Sequence, residues 1–492
     1  MIQRSLALLC FTALALLFGC RSKSEPDASP SAKSTVEAAT IVETIRVAIG
    51  TQDTTINCAT GGPIVRELKL LEKYLPRDGK YKSVKYDIKW ENQPTGAQLN
   101  SKYLANQLDI VQMADFPSVL GATALKAAGD KVQSLYISTL SAGINGAGNA
   151  ILVPSESKVQ SLSELKGKKL SVPFGSTAHA MLIRAIQDLG WDPTKDVEIV
   201  TQTPEVGGSA LKANQIDAHA NFVPFGELFP FRGFAKKIYD GSSTGVTTTH
   251  GVQVRSDYAA KYPEVVVAFL KATLEADRLY REDPEGLSEK LARWTGVDAE
   301  VYYAFHGPNG IQTRDFTLKP EHTNAIAKAQ ESLKVLKKVT REIDVDRYVT
   351  DRFIRQAATE FGLDYDARLS DYAALPFVGN AVDTQQPVTE PTLAGQIWVK
   401  GEPKVRLYSS PEATFAALAQ LQQEGKAVRV TFVHDRETGN KLFADKVWYV
   451  RGPRGLAAFL LKRSAETWAS KNGGGQVIGF DAARKAPGQA SL

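Results

Sequence analysis

Strand-length apolar runs and helix-spaced apolar runs alternate along most of this chain. Residues 45–49 (IRVAI) read as a strand, and residues 50–62 form a polar loop that ends in glycines. Pro63 suits a first helical turn, and Ile64, Leu68, Leu71 and Leu75 continue at a period near 3.6. Residues 86–90 (YDIKW) alternate like a strand. Residues 108–111 supply the next one, which runs into a turn at 114–117 (ADFP). This β-loop-α repetition predicts a mostly parallel sheet covered by helices, in which ligands collect at the carboxyl ends of the strands.

A glycine-rich passage at 143–148 (GINGAG) separates this half from a second one with the same rhythm. In that half, Leu170, Val172 and Pro173 close a strand and residues 174–177 (FGST) turn. Residues 178–189 then read as a helix, with Met181, Ala185 and Leu189 on its apolar face. Gly175 permits a tight turn, and Ser176 or Thr177 is a natural N-cap. A helix start of this kind presents unpaired N–H groups and a partial positive charge to an anion. Short apolar segments follow at 198–200, 216–221 (IDAHAN) and 237–239, and the chain crosses back at 250–254 (HGVQV). Two crossings between two α/β halves make a hinged cleft.

Pro263 opens a long helix that carries Val266, Leu270, Ala276 and Leu279, and helical periodicity continues to about Leu375. Residues 376–391 are rich in Pro, Thr and Gln and lack apolar patterning, as a linker does. Beyond them, residues 397–399, 404–408, 427–433 and 446–450 read as strands, and residues 413–423 and 464–470 as helices. The expected organisation is therefore a lipoprotein signal peptide (1–20), a flexible tether (21–43), a two-lobed domain (44–375), a linker (376–394) and a small α+β domain (395–492). Lobe I takes residues 44–145 and 250–375, and lobe II residues 146–249. The fold class is α/β, in two lobes.

Composition changes this picture mainly at the amino terminus. With 43% hydrophobic and 23% charged residues among 492, the chain has the makeup of a folded, water-soluble protein. A net charge of +5, with no Lys/Arg stripe interleaved with aromatics, argues against nucleic acid as a partner. Arg4 precedes an apolar run at 6–18 that suits a signal peptide and is short for a membrane span. Residues 17–20 (LFGC) match a bacterial lipoprotein box, so Cys20 is the expected lipidation site and the lipid is the expected membrane anchor. The polar run at 21–35 follows as a solvated tether. Of the three cysteines, Cys10 leaves with the signal and Cys20 takes lipid, so Cys58 has no partner for a disulfide.

Four motifs in order, SLSELKGKKL, GSTAH, ALKANQIDAHANFVPF and SDYAAKYPEVVVAFLKA, resemble the substrate-binding proteins of nitrate, sulfonate and taurine ABC importers. The resemblance implies the two-lobed periplasmic-binding-protein fold (type II), with a small polar or anionic solute held between the lobes and handed to an importer's permease and ATPase, at the periplasmic or outer face of a bacterial membrane. It implies a site built from the loop carrying Gln52, Asp53, Thr54 and Asn57, the turn carrying Asp115 and Phe116, the stretch with Gly175, Ser176, Thr177 and His179, and the wall with Asn221 and Phe222. It implies no cofactor and no metal.

Two carboxylates complicate a plain anion pocket, because a bare carboxylate facing an oxyanion is repulsive. Either Asp53 and Asp115 point away as Asx-type loop caps, or the ligand carries a cationic or hydrogen-bond-donating part. The tail, VHDRETGNKLFADKVWYVRG onward, is similar to the copper-chaperone lipoproteins that serve nitrous oxide reductase. No Cys or Met follows Met181, however, so copper(I) lacks its soft ligands. A metal- or cation-binding importer component linked to copper and nitrous oxide metabolism stands as an alternative, with His179, His219 and His250 available and Cys58 and Asp53 as companions. An enzyme of the thiamine-pyrimidine kind is a further one. Against it, Ser176 sits in no G-x-S-x-G elbow and Cys58 is isolated.

Overall fold

The computed structural model describes residues 43–372 and 375–485. The expected signal peptide, nearly all of the expected tether and Cys20 lie outside the described residues. Lobe I begins with β1 (Thr44–Thr51), β2 (Lys85–Asn92), β3 (Ile110–Ala114) and β4 (Ser134–Gly143). Lobe II holds β5 (Ala150–Pro154), β6 (Lys169–Val172), β7 (Glu198–Thr201), β8 (Ala218–Asn221) and β9 (Ala235–Asp240), and β10 (Thr248–Arg255) returns to lobe I. The sheet orders are β2-β1-β3-β10-β4 and β7-β6-β8-β5-β9. β1, β2 and β3 run parallel, whereas β10 is antiparallel to both β3 and β4, because it enters the sheet from the other lobe.

Helices cover both sheets, as the strand composition requires. β1 and β3 are buried along most of their length, and Val47, Ile49, Ile110 and Val111 are fully inaccessible. The helix Pro263–Glu282 buries Val266, Leu270 and Ala276 against lobe I. The helical spacing over 64–75 predicted one helix, but the structure has two, Pro63–Glu67 and Leu70–Tyr74. Lys69 between them takes a left-handed conformation at φ 52°. The predicted turn at 114–117 is a helix start, since Asp115–Ala128 is helical and Pro117 falls in its first turn, where proline is tolerated.

The carboxyl-terminal part contains β11 (Gly395–Val399), β12 (Arg406–Tyr408), β13 (Val428–His434) and β14 (Lys441–Phe443) in one sheet. A second sheet holds β15 (Trp448–Gly452), β16 (Gly455–Phe459) and β17 (Gln476–Ile478). Its first sheet shares a core with lobe I. The Tyr303 ring lies 5.4 Å from Trp398 and 5.7 Å from Phe432, and the Tyr303 hydroxyl accepts from Gln396 Nε2 at 3.1 Å. Arg429 reinforces the contact through Glu300 at 2.7 Å and Glu289 at 2.5 Å.

Candidate functional site

The helix Thr177–Asp188 starts where the sequence places it. Gly175 has φ 75°, which a side chain resists, and it brings the turn to 3.4 Å from Leu120 of lobe I, measured from where a Cβ would stand. Ser176 is the N-cap. Its Oγ accepts from the His179 N–H at 3.3 Å and donates to the Pro173 carbonyl at 2.6 Å. His179 is a neutral part of this turn: its ring stacks on Phe174 at 4.5 Å, and burial pushes its pKa down to about 4. Met181 and Ala185 are buried as expected, but Leu189 is 39% exposed, because the helix ends at Asp188.

A cavity of about 40 Å³ lies between the lobes at this helix start, room for a few water-sized groups. Asp115, Phe116, Lys328 and Thr248 line it from lobe I, and Asn149, Thr177 and Arg184 from lobe II. Thr177 Oγ1 donates to Asn149 Oδ1 at 2.8 Å, so its hydroxyl is already engaged. With the His179 N–H taken by Ser176, the N–H groups of Thr177 and Ala178 are the donors at this end. Arg184 is half-buried and forms no ion pair among the described residues, whereas Lys328 reaches Glu331 at 2.9 Å. Asn149, Arg184 and Lys328 carried no motif; they are ordinary polar helix and loop residues until the fold converges them.

Asp115 is turned into lobe I. Its two oxygens accept from the N–H groups of Phe116 at 2.6 Å and Thr249 at 2.7 Å, while burial raises its pKa to about 7. Gln52, Asp53 and Asn57 are buried, but they do not line this cavity. The helix Ala299–His306 covers them, with Tyr302 donating to the Asp53 carbonyl at 3.4 Å and His306 Nε2 3.2 Å from the Ile56 carbonyl. Thr54 stays at the rim and reaches across to Glu205 of lobe II at 3.5 Å. Asn221 is inaccessible, held by His219 Nε2 at 2.8 Å and by the Phe222 N–H at 2.9 Å. Phe222 packs on Phe225, and Phe225 on Phe229, at 5.8 and 5.4 Å, as core.

The remaining chemistry-bearing groups are also interior. Cys58 Sγ lies 3.0 Å from His250 Nε2, but burial holds the thiol up near 12 and the imidazole down near 3, so the pair is a neutral hydrogen bond. His219 is a core histidine on Ser171 Oγ at 2.7 Å. Among the described residues no group of three or more His, Cys, Asp or Glu is placed to hold a metal ion, and no helix is long and apolar enough to cross a membrane.

Comparison with known proteins follows the same two lobes. The profile of the NMT1-like family matches residues 76–295. The taurine-binding periplasmic protein of Escherichia coli (strain K12) is 31% identical over 222 residues, which cover 42% of this chain and 68% of that protein. The chain belongs to the NMT1-like family. Its fold matches the alkanesulfonate-binding protein SsuA from Xanthomonas axonopodis pv. citri bound to MOPS, with a TM-score of 0.51 and 22% identity over 63% of this chain and 99% of that one. The periplasmic nitrate-binding protein NrtA from Synechocystis PCC 6803 aligns with a TM-score of 0.51 and 14% identity over 67% of this chain and 92% of that one. This NMT1-like chain is a solute-binding protein with two α/β lobes and an additional carboxyl-terminal sheet region.

Proposed function

We propose that the protein captures a small anionic solute, of the sulfonate, taurine or nitrate class, between its lobes in the periplasm and delivers it to an ABC importer. The observation that carries this reading is the convergence of the Thr177 helix start, Arg184 and Lys328 on one interlobe cavity. Helix N–H groups and a half-buried guanidinium suit a tetrahedral or planar oxyanion. Gly175, Ser176 and His179 shape the turn and Asp115 and Phe116 form the opposite wall, while Asn221 and Phe222 are buried in the core of lobe II. Gln52, Asp53 and Asn57 lie buried under the helix Ala299–His306, and Thr54 sits at the rim opposite Glu205.

The anchor belongs to the same proposal: lipid on Cys20, after cleavage of the signal peptide, holds the protein beside its importer. The carboxyl-terminal region shares a scaffold with the nitrous oxide reductase accessory lipoproteins but not their copper site. Binding without turnover is the expected chemistry, since the Cys58–His250 pair is neutral and a thiolate is what a cysteine nucleophile requires.

The test is calorimetric titration with taurine, ethanesulfonate, nitrate and sulfate. One of these should bind, and Arg184→Gln should weaken it about tenfold or more, the loss of one charge-assisted contact worth ~1.5–3 kcal/mol. A ligand that binds the folded Arg184→Gln variant as tightly as the parent would place the site elsewhere.

A further inference from the structure

The net charge of the chain is local. Residues 444–485 hold eight Lys and Arg against three Asp and Glu, which accounts for the whole excess of 59 basic over 54 acidic residues. The second carboxyl-terminal sheet gathers much of that charge at one end. β15 ends at Gly452 and β16 starts at Gly455, so Arg454 stands at the tip of their hairpin. β17 starts opposite Arg451, and the helix Lys462–Lys471 leads into it, which brings Lys471 to the same end. Arg451 Nη2 donates to the carbonyls of Ala482, Ala483 and Lys485 at 2.9, 3.1 and 2.9 Å, so Arg484 and Lys485 are pinned there as well. The Trp448 end of β15 faces lobe II, lining one cavity with Pro230, and the Gly452 end points away from it.

Arg454, Lys471, Arg484 and Lys485 are all exposed. Arg484 has Asp481 at 3.5 Å, whereas Arg454, Lys471 and Lys485 form no ion pair among the described residues. The other carboxylates near this end leave the excess in place. Glu412 accepts from the Leu456 N–H, and Glu437 feels the charge of Lys471 from beyond ion-pair distance. The glycines at 473–475, between Lys471 and β17, carry no side chain that would hold a flat surface off. We propose that this end of the carboxyl-terminal region is a docking surface for the anionic headgroups of a membrane leaflet. An anionic leaflet attracts each nearby Lys or Arg by ~1 kcal/mol, about fivefold in binding, and the attraction fades within a Debye length. The choice of lipid rests on the periplasmic placement proposed above, where a leaflet is an extended surface of the right sign.

The probe is a vesicle of phosphatidylglycerol and phosphatidylcholine in equal parts, with phosphatidylcholine alone as the counterpart of no net charge. The chain from Arg21 onward, which carries no lipid and keeps every described residue, is co-sedimented with each at low ionic strength. It should partition onto the anionic vesicles at least tenfold more strongly, and come off as salt is raised to about 0.5 M. Arg454→Gln, Lys471→Gln and Lys485→Gln together should weaken that binding about a hundredfold, three charges at about fivefold each. Lys82→Gln, Lys85→Gln and Lys158→Gln together remove the same charge from exposed positions on the lobes, and should weaken it by less than about threefold. The proposal is overturned by equal binding to both vesicles, by undiminished binding of the carboxyl-terminal triple variant, or by an equal loss in the lobe triple variant. Duplex DNA that strips the chain from the vesicles at equal phosphate concentration would overturn it too. Should the carboxyl-terminal triple variant fail to fold, Arg454→Gln alone, at the hairpin tip, should still cost about fivefold.

Discussion

Arg66 Nη1 stands 2.9 Å from Asp53 Oδ2, so the carboxylate on the first loop of lobe I already has its counter-charge. Burial nevertheless raises the Asp53 pKa, with Arg66 pulling it back. Asp53→Asn should therefore act on stability more than on ligand. The partly exposed Arg66 keeps Glu67, so the expected loss is ~1–2 kcal/mol by urea unfolding. Anion affinity should change by less than about threefold, under ~0.7 kcal/mol. A tenfold tightening would show that the Asp53 charge faces the bound anion.

All six histidines are buried, and burial lowers the pKa of each. It falls to about 3 in His250, His306 and His434, to about 4 in His179 and His219, and below the ordinary value in His322. A depressed histidine contributes stability above its unfolded pKa, near 6.5, and that contribution is lost as the pH falls toward the folded value. Near pH 5 the unfolded chain binds about five more protons at the five sites lowered to about 3 or 4. Asp115 and Glu227, raised to about 7, return about two of them. Stability should fall by ~4 kcal/mol per pH unit there, about three net protons at ~1.4 kcal/mol each. Urea midpoints that stay flat between pH 6.5 and 4.5 would contradict these burial-driven shifts.

Asp115 shows the opposite sign, and a difference experiment isolates it. Its folded pKa, about 7, lies above the ordinary 3.8, so its contribution is fully present below about pH 4 and is lost as the pH rises through 7. Asp115→Asn removes that dependence. The stability of the parent minus that of the variant should therefore decline between pH 5 and 8, by ~1.4 kcal/mol per unit at most. The same carboxylate borders the cavity, so affinity for an anion should weaken over that window in the parent and not in the variant. Parallel stability curves would mean that Asp115 does not titrate there.

Trp398 is 1% exposed between Tyr303 of lobe I and the Arg429 guanidinium, which lies 4.3 Å from its ring. Trp398→Ala should cost ~3–5 kcal/mol, the usual range for emptying a large aromatic site in a core. Because the core is shared with lobe I, calorimetry should register one unfolding transition that moves down as a whole. Two separated transitions would show that the carboxyl-terminal region unfolds independently.

Much of the scaffold was legible because it rests on periodicity. β1, β5 and the helix from Thr177 lie where apolar spacing and a capping serine put them, and the return strand β10 followed from the HGVQV segment. Periodicity fails where the chain breaks a pattern without a Gly or Pro, as at Lys69, and where strands are short, as in β14, β16 and β17. It also cannot show that Trp398 and Phe432 serve lobe I. The cap at Ser176 was readable, since its partners are local. Arg184 and Lys328 were not, because their significance comes from two helices 144 residues apart meeting over one cavity. Gln52, Asp53 and Asn57 were chosen for the loop they occupy, and a helix nearly 250 residues downstream decides what covers them.

The attachment of the carboxyl-terminal region is one-sided. Its ion pairs to the lobes, through Arg429 and Lys404, all reach lobe I, while lobe II meets it through the Phe231–Phe443 ring contact at 5.0 Å, with no hydrogen bond or ion pair among the described residues. Any swing of lobe II about its crossovers would meet a bumper fixed to the opposite jaw. Such a bumper narrows the range of open angles available to the empty protein. A narrower open ensemble surrenders less entropy when the jaws shut, and the saving appears as tighter capture of the same solute.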